Sequence, residues 1–204
     1  MTAPVEHEYV VRARHERFRG NVFRVVTDEV AMPGGGYAAR DYVLHVGSVG
    51  VAALDDAGRI VLVRQYRHPL GHELWELPAG LVDVSGEPLA AAAARELAEE
   101  ADLVAARWDL LVDLHTSPGC SNEFIRIFLA RDLTPVPDGA RHARTHEETH
   151  LVVRRVDLDE AVRMALAGEI TNASAVAGVL AAARARDAHW TTLRSVDAPL
   201  PGRA

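Results

Sequence analysis

Gly80-Leu81-Val82-Asp83-Val84-Ser85-Gly86-Glu87-Pro88-Leu89-Ala90-Ala91-Ala92-Ala93-Ala94-Arg95-Glu96-Leu97-Ala98-Glu99-Glu100-Ala101-Asp102-Leu103 is the stretch on which the reading of this 204-residue chain turns. Pro88 suits the first position of a helix, and alanine and leucine favour its continuation, so a helix is expected from about Pro88 to about Ala101. Leu89, Ala93, Leu97 and Ala101 fall on one face of it. Glu96 and Glu100, four apart, share a face, with Glu99 at its edge. Carboxylates so close repel one another unless something positive lies among them, and a hard divalent cation with oxygen ligands is the natural partner. By composition alone the same helix would be a solvated face on which Arg95 and Glu99 form an ordinary i,i+4 pair.

Outward from that helix the chain mixes strands and helices. Residues 9–46 alternate apolar and polar in short runs, broken by Pro33-Gly34-Gly35-Gly36, which predicts a small antiparallel sheet with a tight turn. Strand-like runs at 48–54 and 60–65 flank Asp55-Asp56-Ala57-Gly58, a hairpin turn signal. Further strand-like runs occupy 108–114, 123–130 and 151–156. Two helices close the pattern, one at 158–167 and one after Asn172 running to about Ala188. Strand and helix do not alternate regularly, so a doubly wound sheet or an α/β barrel is not expected; an α/β/α sandwich around a mixed sheet fits best. The expected division is an N-terminal β-sheet region at 1–46, a main domain at 47–190 and a tail at 191–204, Pro-containing and loose at its end.

Composition narrows the function classes. Hydrophobic residues make up 49% and charged residues 25%, the balance of an ordinary globular chain with enough apolar surface for a sizeable core. A net charge of -7 argues against a general grip on nucleic acid, because phosphate backbones are bound by an excess of basic side chains. All 22 basic residues are arginine, which reads as the imprint of a GC-rich genome. The apolar runs are far short of the roughly 20 residues that a membrane span needs, and residues 1–12 lack the apolar core of a secretory signal, so a cytoplasmic protein with no membrane association is expected. Cys120 is the only cysteine; neither an intramolecular disulfide nor a multi-cysteine metal site is available, and any metal must be held mainly by oxygen or imidazole.

The order of residues around the carboxylate helix resembles the Nudix box, G-x5-E-x7-R-E-U-x-E-E-x-G-U, where U is a bulky aliphatic. Glu87, seven intervening residues, then Arg95-Glu96-Leu97-Ala98-Glu99-Glu100 match it, and Leu103 matches the final aliphatic. Two departures stand out: six residues instead of five separate Gly80 from Glu87, and Asp102 replaces the glycine. The first is a loop insertion, which is thermodynamically cheap. The second falls at a helix C-terminus, where Asp can adopt the left-handed conformation at modest cost. The resemblance implies a Nudix-type α/β/α sandwich. It also implies Mg²⁺ or Mn²⁺ held by Glu96, Glu99 and Glu100 with the backbone carbonyl of Ala79, while Arg95 orients a glutamate and Glu87 anchors the loop to the helix. Such a metal centre would neutralise a diphosphate and activate a water.

Outside the box, Glu73-Leu74-Trp75-Glu76-Leu77-Pro78-Ala79-Gly80, Ser117-Pro118-Gly119-Cys120-Ser121-Asn122-Glu123 and Gly168-Glu169-Ile170-Thr171-Asn172-Ala173-Ser174 resemble the ADP-ribose pyrophosphatases within the family. Pro118 lies sixteen positions past Asp102, where that subfamily places a proline. The implied substrate is a small nucleotide sugar, ADP-ribose first, with a homodimer exchanging its N-terminal strands. Candidate substrate-binding residues are Arg67, Trp75, Glu76, Pro118 and Arg40. Each has a plainer reading: Trp75 as core, Pro118-Gly119 as a turn, Arg67 as a surface charge at a strand end. Against these, an indole can stack on a base, and the arginine fork matches phosphate. The resemblance puts the catalytic base on a loop after the box helix, where Glu148 is preferred and Glu147 is second; both also read as solvated loop carboxylates. Glu99, inside the box, stands with them as a catalytic candidate. His142, His146 and His150 flank that loop and read as surface groups. Rivals are hydrolysis of another nucleotide sugar or a dinucleotide, and a non-catalytic ADP-ribose sensor, which the intact box glutamates disfavour.

Overall fold

Strict alternation along three strands decides the architecture. In the computed structural model, which describes residues 8–144 and 149–201, β4 (Ser48–Ala53), β5 (Arg59–Arg67) and β9 (Phe124–Pro135) each send successive side chains into two different cores. Ala52, Ile60, Leu62, Ile127 and Leu129 join one cluster with residues of α2 (Leu158–Leu166) and α3 (Ala173–Asp187). Val49, Val51, Ala53, Val61, Phe128 and Ala130 join the other with Ala92, Ala93 and Leu97 of α1 (Leu89–Ala101). Strands buried on both faces have to be covered by helices on both, and the result is an α/β/α sandwich.

β4 runs parallel to β9 at the centre of a four-stranded mixed sheet ordered β7-β4-β9-β8, with β7 (Ala79–Leu81) and β8 (Leu103–His115) antiparallel to their neighbours. A second sheet is ordered β10-β5-β6, with β6 (His72–Glu76) and β10 (Val152–Asp157) antiparallel to β5. The expected hairpin at Asp55 is therefore only half realised. Its turn forms, the Asp55 carboxylate accepting from Ala57 N at 3.0 Å and Arg59 N at 2.9 Å. The flanking strands then share one bridge, Leu54 with Ile60, and part into different sheets. β4, apolar after Ser48 and buried on both faces, takes β9 and β7 as partners, and β5 pairs with β6 and β10. Both later helices start close to the expected positions, and each has a side-chain cap. Asp157 accepts from Asp159 N at 2.9 Å, and Asn172 accepts from Ala175 N at 2.9 Å. Gly178 lets α3 settle on the sheet, since a Cβ there would come within 2.5 Å of Leu77.

By contact density the chain divides into two units, residues 1–46 with 117–123, and residues 47–116 with 124–204. The smaller unit is the antiparallel sheet β1-β2-β3, formed by β1 (Val11–Arg19), β2 (Phe23–Ala31) and β3 (Tyr37–His45). Asp28, buried in β2, takes both prongs of Arg14 at 2.7 and 2.8 Å and the Tyr42 hydroxyl at 3.0 Å. The Arg14 bond holds that carboxylate below its ordinary range. The turn at Ser117 is stitched to β3, Val43 N donating to Cys120 O at 2.8 Å.

The tail belongs to the larger unit as far as it is described. Trp190 packs under the Arg131 guanidinium, 4.5 Å from its ring centroid, and Arg194 exchanges two backbone hydrogen bonds with Leu110 at 2.9 and 3.1 Å. Leu110 lies on β8, the edge of the four-stranded sheet, beside a β-bulge, so the tail covers part of an exposed edge. Arg126, with its side chain 4% exposed, grips Asp113 at 2.7 and 3.2 Å and donates to the carbonyls of Ala198 at 2.7 Å and Pro199 at 3.1 Å. Removing one partner of a buried ion pair strands the other. Because Asp113 keeps Arg194 at 3.0 Å, Arg126→Met is expected to cost about 3 kcal/mol in denaturant unfolding, the low end for such a loss. A change under about 1 kcal/mol, the scale of an exposed pair, would mean that the tail is not fastened by this arginine. Among the described residues no helix is long and apolar enough to cross a membrane.

Candidate metal-binding and hydrolytic site

α1 carries the carboxylates, and two neighbouring segments dictate where they point. Pro88 caps the helix in an extended conformation, with no side-chain hydrogen bond to its first turn. Arg95, further along the helix, reaches back to Glu87, Nε to Oε1 at 3.2 Å and Nη2 to Oε2 at 3.1 Å, which ties the preceding loop to the helix. The same guanidinium donates forward from Nη1 to Glu96 Oε1 at 2.6 Å and to Glu99 Oε2 at 3.3 Å. Glu100, only 6% exposed, turns inward, where its Oε2 accepts from Ala79 N at 2.9 Å. Gly80 follows on β7, and a Cβ on it would overlap the Glu96 carboxylate, so the absent side chain is what admits that group.

The electrostatics of this corner are unfavourable to the charges that fill it. Burial pushes the Glu96 carboxyl above its ordinary value; Arg95 opposes the shift, while Glu99 and Asp83 add to it. Among the described residues no three acidic or imidazole side chains converge on one point, because Arg95 draws Glu96 and Glu99 while Ala79 N holds Glu100. The donors nonetheless suit a divalent cation. They are hard oxygens carrying three formal negative charges within five residues, beside the side-chain-free backbone of Gly80, and a cation would offset both the burial that raises Glu96 and the smaller repulsion that Glu99 and Asp83 add.

Arg67 and Glu76 form a unit on the α1 side of β5 and β6. Glu76 is 2% exposed and receives both prongs of the fork, Nε to Oε1 at 2.8 Å and Nη2 to Oε2 at 2.6 Å. That bond holds the guanidinium above its ordinary value, with Glu100 contributing. Trp75 sits one residue earlier, so the pleat sends it the opposite way. It packs against the cluster shared with α2 and α3, with Arg64 at 5.4 Å and Arg154 at 6.0 Å from its ring centroid. Glu76 and Trp75 are thus not brought to one surface. Arg40 and Pro118 belong to the smaller unit. There Arg40 donates to Ala39 O at 2.9 Å, and Pro118 lies in a turn in which Ser117 O accepts from Cys120 N at 3.0 Å and Ser121 N at 2.9 Å. Glu147 and Glu148 lie outside the described residues.

Two features escaped the sequence. The Arg67–Glu76 pair links two strands, and only their register brings it together. Arg144 reaches the C-terminal end of α1 from 42 residues beyond Asp102, a separation that carries no periodic signal. A cavity of about 450 Å³ lies between α1 and the segment before Arg144, lined by Arg95, Ala98 and Glu99 on one side and by residues 140–143 on the other.

Comparison with known proteins bears on this arrangement. The family model of the NUDIX domain matches residues 44–178. An ADP-ribose pyrophosphatase of Mycobacterium tuberculosis is 47% identical over 176 residues, which cover 86% of this chain and 84% of that protein. An ADP-ribose pyrophosphatase of Bacillus subtilis is 32% identical over 161 residues, covering 79% of this chain and 85% of that protein. A crystal structure of an ADP compounds hydrolase superposes with a TM-score of 0.76 over 93% of this chain and 100% of that one, at 18% identity, a likeness of fold.

Proposed function

The chain belongs to the Nudix family, and from that premise we propose that it is a divalent-metal-dependent hydrolase that cleaves the diphosphate of ADP-ribose to AMP and ribose 5-phosphate. The observation that carries this reading is the corner where Glu96 of α1 lies against Gly80 and Glu100 accepts from Ala79 N, with Glu99 beside them on the helix and bound to Arg95. Glu96, Glu99, Glu100 and the Ala79 carbonyl would hold Mg²⁺ or Mn²⁺. When bound, the ion neutralises the diphosphate and makes a water more acidic. The water oxygen bonds to one phosphorus as the bridging P–O bond breaks, and the bridging oxygen leaves on the other phosphate.

The protein's own contributions are positional. Arg95 keeps Glu96 and Glu99 directed, while its grip on Glu87 fixes the loop that enters the helix. Arg67, held on Glu76, keeps a fixed positive charge on the same side of the sheet. Glu148, with Glu147 second, takes the proton of the attacking water. The large exposed side chains of the smaller unit, Phe18 at 55% and Tyr37 at 57%, are compatible with a homodimer built through that sheet.

The test is a panel of nucleoside diphosphate sugars supplied with Mg²⁺ and resolved by chromatography, run on the wild type, Glu148→Gln and Glu147→Gln. ADP-ribose should be consumed to equimolar AMP and ribose 5-phosphate. Glu148→Gln should lower turnover about 10²-fold with the Michaelis constant nearly unchanged, since a positioned base acts on water and adds little to ground-state binding. Consumption of a different nucleotide sugar with ADP-ribose left intact would move the substrate assignment. A large loss in Glu147→Gln with a mild one in Glu148→Gln would exchange the two roles.

A further inference from the structure

α1 ends with more negative charge than its own Arg95, which reaches Glu99 Oε2 at 3.3 Å, can balance. Its last turn has no basic residue, its free carbonyls carry the negative end of the helix dipole, and Glu99, Glu100 and Asp102 crowd the same place. Arg144 supplies the balance. Its Nε donates to Glu99 O at 3.2 Å, and its Nη2 donates to Glu100 O at 2.8 Å and to Asp102 Oδ2 at 2.8 Å. Asp102 itself is the left-handed cap of the helix, at φ 54 and ψ 38, and its carbonyl accepts from Val136 N at 2.9 Å. One residue thus receives both ends of the stretch 136–144, through its backbone at Val136 and through its side chain at Arg144.

We propose that Asp102 and Arg144 are a positioning pair that locks the last turn of α1, fixing the backbone from which Glu99 and Glu100 present their carboxylates. Glycine at position 102 would serve the left-handed backbone equally well or better. What the aspartate adds is a carboxylate that captures a guanidinium and delivers its other donors to the carbonyls of the two glutamates. Arginine is suited to this because its planar fork reaches three acceptors at once, which an ammonium cannot do in a fixed plane.

The role presupposes, for its catalytic consequence, that these carboxylates hold the metal; its structural part can be read without activity. Amide hydrogen exchange across residues 97–102 and Mn²⁺ binding without substrate should be measured on the full chain for Arg144→Ala, Arg144→Lys, Asp102→Gly and the double variant Asp102→Gly with Arg144→Ala. Arg144→Ala is expected to speed exchange in the last turn and to weaken Mn²⁺ binding about tenfold, the usual scale for loss of a residue that supports a metal ligand. Asp102→Gly should shift both readouts in the same direction with its unfolding midpoint held, since glycine keeps the cap. Arg144→Lys should recover part of the loss. The double variant should be no worse than Arg144→Ala, because the two residues act as one unit. Unchanged exchange and unchanged Mn²⁺ affinity in Arg144→Ala overturn the pair. So does a loss of Mn²⁺ affinity that only tracks the unfolding midpoint across the series. If the wild type binds no Mn²⁺ while exchange still rises in Arg144→Ala, the pair stands as the lock on the turn and the metal-dependent reading of the site falls.

Discussion

Glu96→Gln and Glu100→Gln are each expected to lower turnover about 10³-fold at saturating Mg²⁺, the equivalent of roughly 4 kcal/mol of charge stabilisation withdrawn from a metal centre. Neither substitution should unfold the protein. In Glu100→Gln the new amide oxygen can still accept from Ala79 N, the bond that Glu100 makes at 2.9 Å, and in Glu96→Gln it can still accept from Arg95. Loss of a formal charge is what remains. The stability side of Glu96→Gln has a definite sign. Burial raises the folded-state pKa of Glu96 above its unfolded value, so the folded chain binds the proton more tightly. Its favourable contribution is complete below the unfolded pKa and is lost as the pH climbs through the raised one. The glutamine variant lacks that fall, and at neutral pH it should be as stable as the wild type or more so. Initial rates across a Mg²⁺ titration, paired with denaturant midpoints, check both parts. Near-wild-type turnover in either variant sinks the metal assignment, while lost turnover together with a collapsed midpoint would point to a folding role for that glutamate.

Arg67→Met is expected to cost about 4 kcal/mol of stability, because it leaves the Glu76 carboxylate charged and unpaired in the interior. The two partners are unequal. The Glu76 side chain is 2% exposed and that of Arg67 is 44% exposed, so only the carboxylate depends wholly on its partner. Glu76→Gln should accordingly be the milder change, on the order of 1–2 kcal/mol, since a freed arginine can turn to water and a buried amide still accepts one hydrogen bond. Replacing both, as Arg67→Met with Glu76→Leu, should recover most of the loss, and the coupling so measured isolates the pair. Denaturant unfolding of the four proteins decides it. Equal costs for the two single variants would mean that Glu76 has another cation within reach. A stable Arg67→Met with a raised Michaelis constant would instead place the guanidinium on substrate phosphate.

The distance between those two predictions reflects how far each was legible in the chain. Spacing put Glu96, Glu99 and Glu100 together, because a helix converts an interval of three or four residues into proximity on one face, and the box pattern with Arg95 turned that face from a solvated one into a candidate metal site. Glu87 came with them through the box pattern, and its bond to Arg95 is the loop-to-helix tie that pattern implied. The caps at Asp157 and Asn172 and the turn at Asp55 were equally local, each set by a side chain that bonds a backbone amide a few residues on.

What the sequence by itself determined was therefore everything carried by short-range periodicity and local hydrogen bonding: the helices, most strands, the carboxylate face of α1 and the class of sandwich they build. Tertiary structure alone decided which strands pair and which distant side chains meet. The turn at Asp55 reads as a hairpin, yet β4 and β5 part after one bridge, because burial on both faces gives β4 closer partners in β9 and β7. Trp75 and Glu76 are neighbours in one motif, and the pleat sends one to each core. Arg67 finds Glu76 through strand register, Arg126 finds the tail carbonyls 72 and 73 residues away, and Arg144 finds Asp102 across 42. No interval encodes such meetings. They follow from the burial of apolar surface, which fixes where the elements lie, and only then does a charge left at low exposure select its partner from whatever the packing has brought within reach.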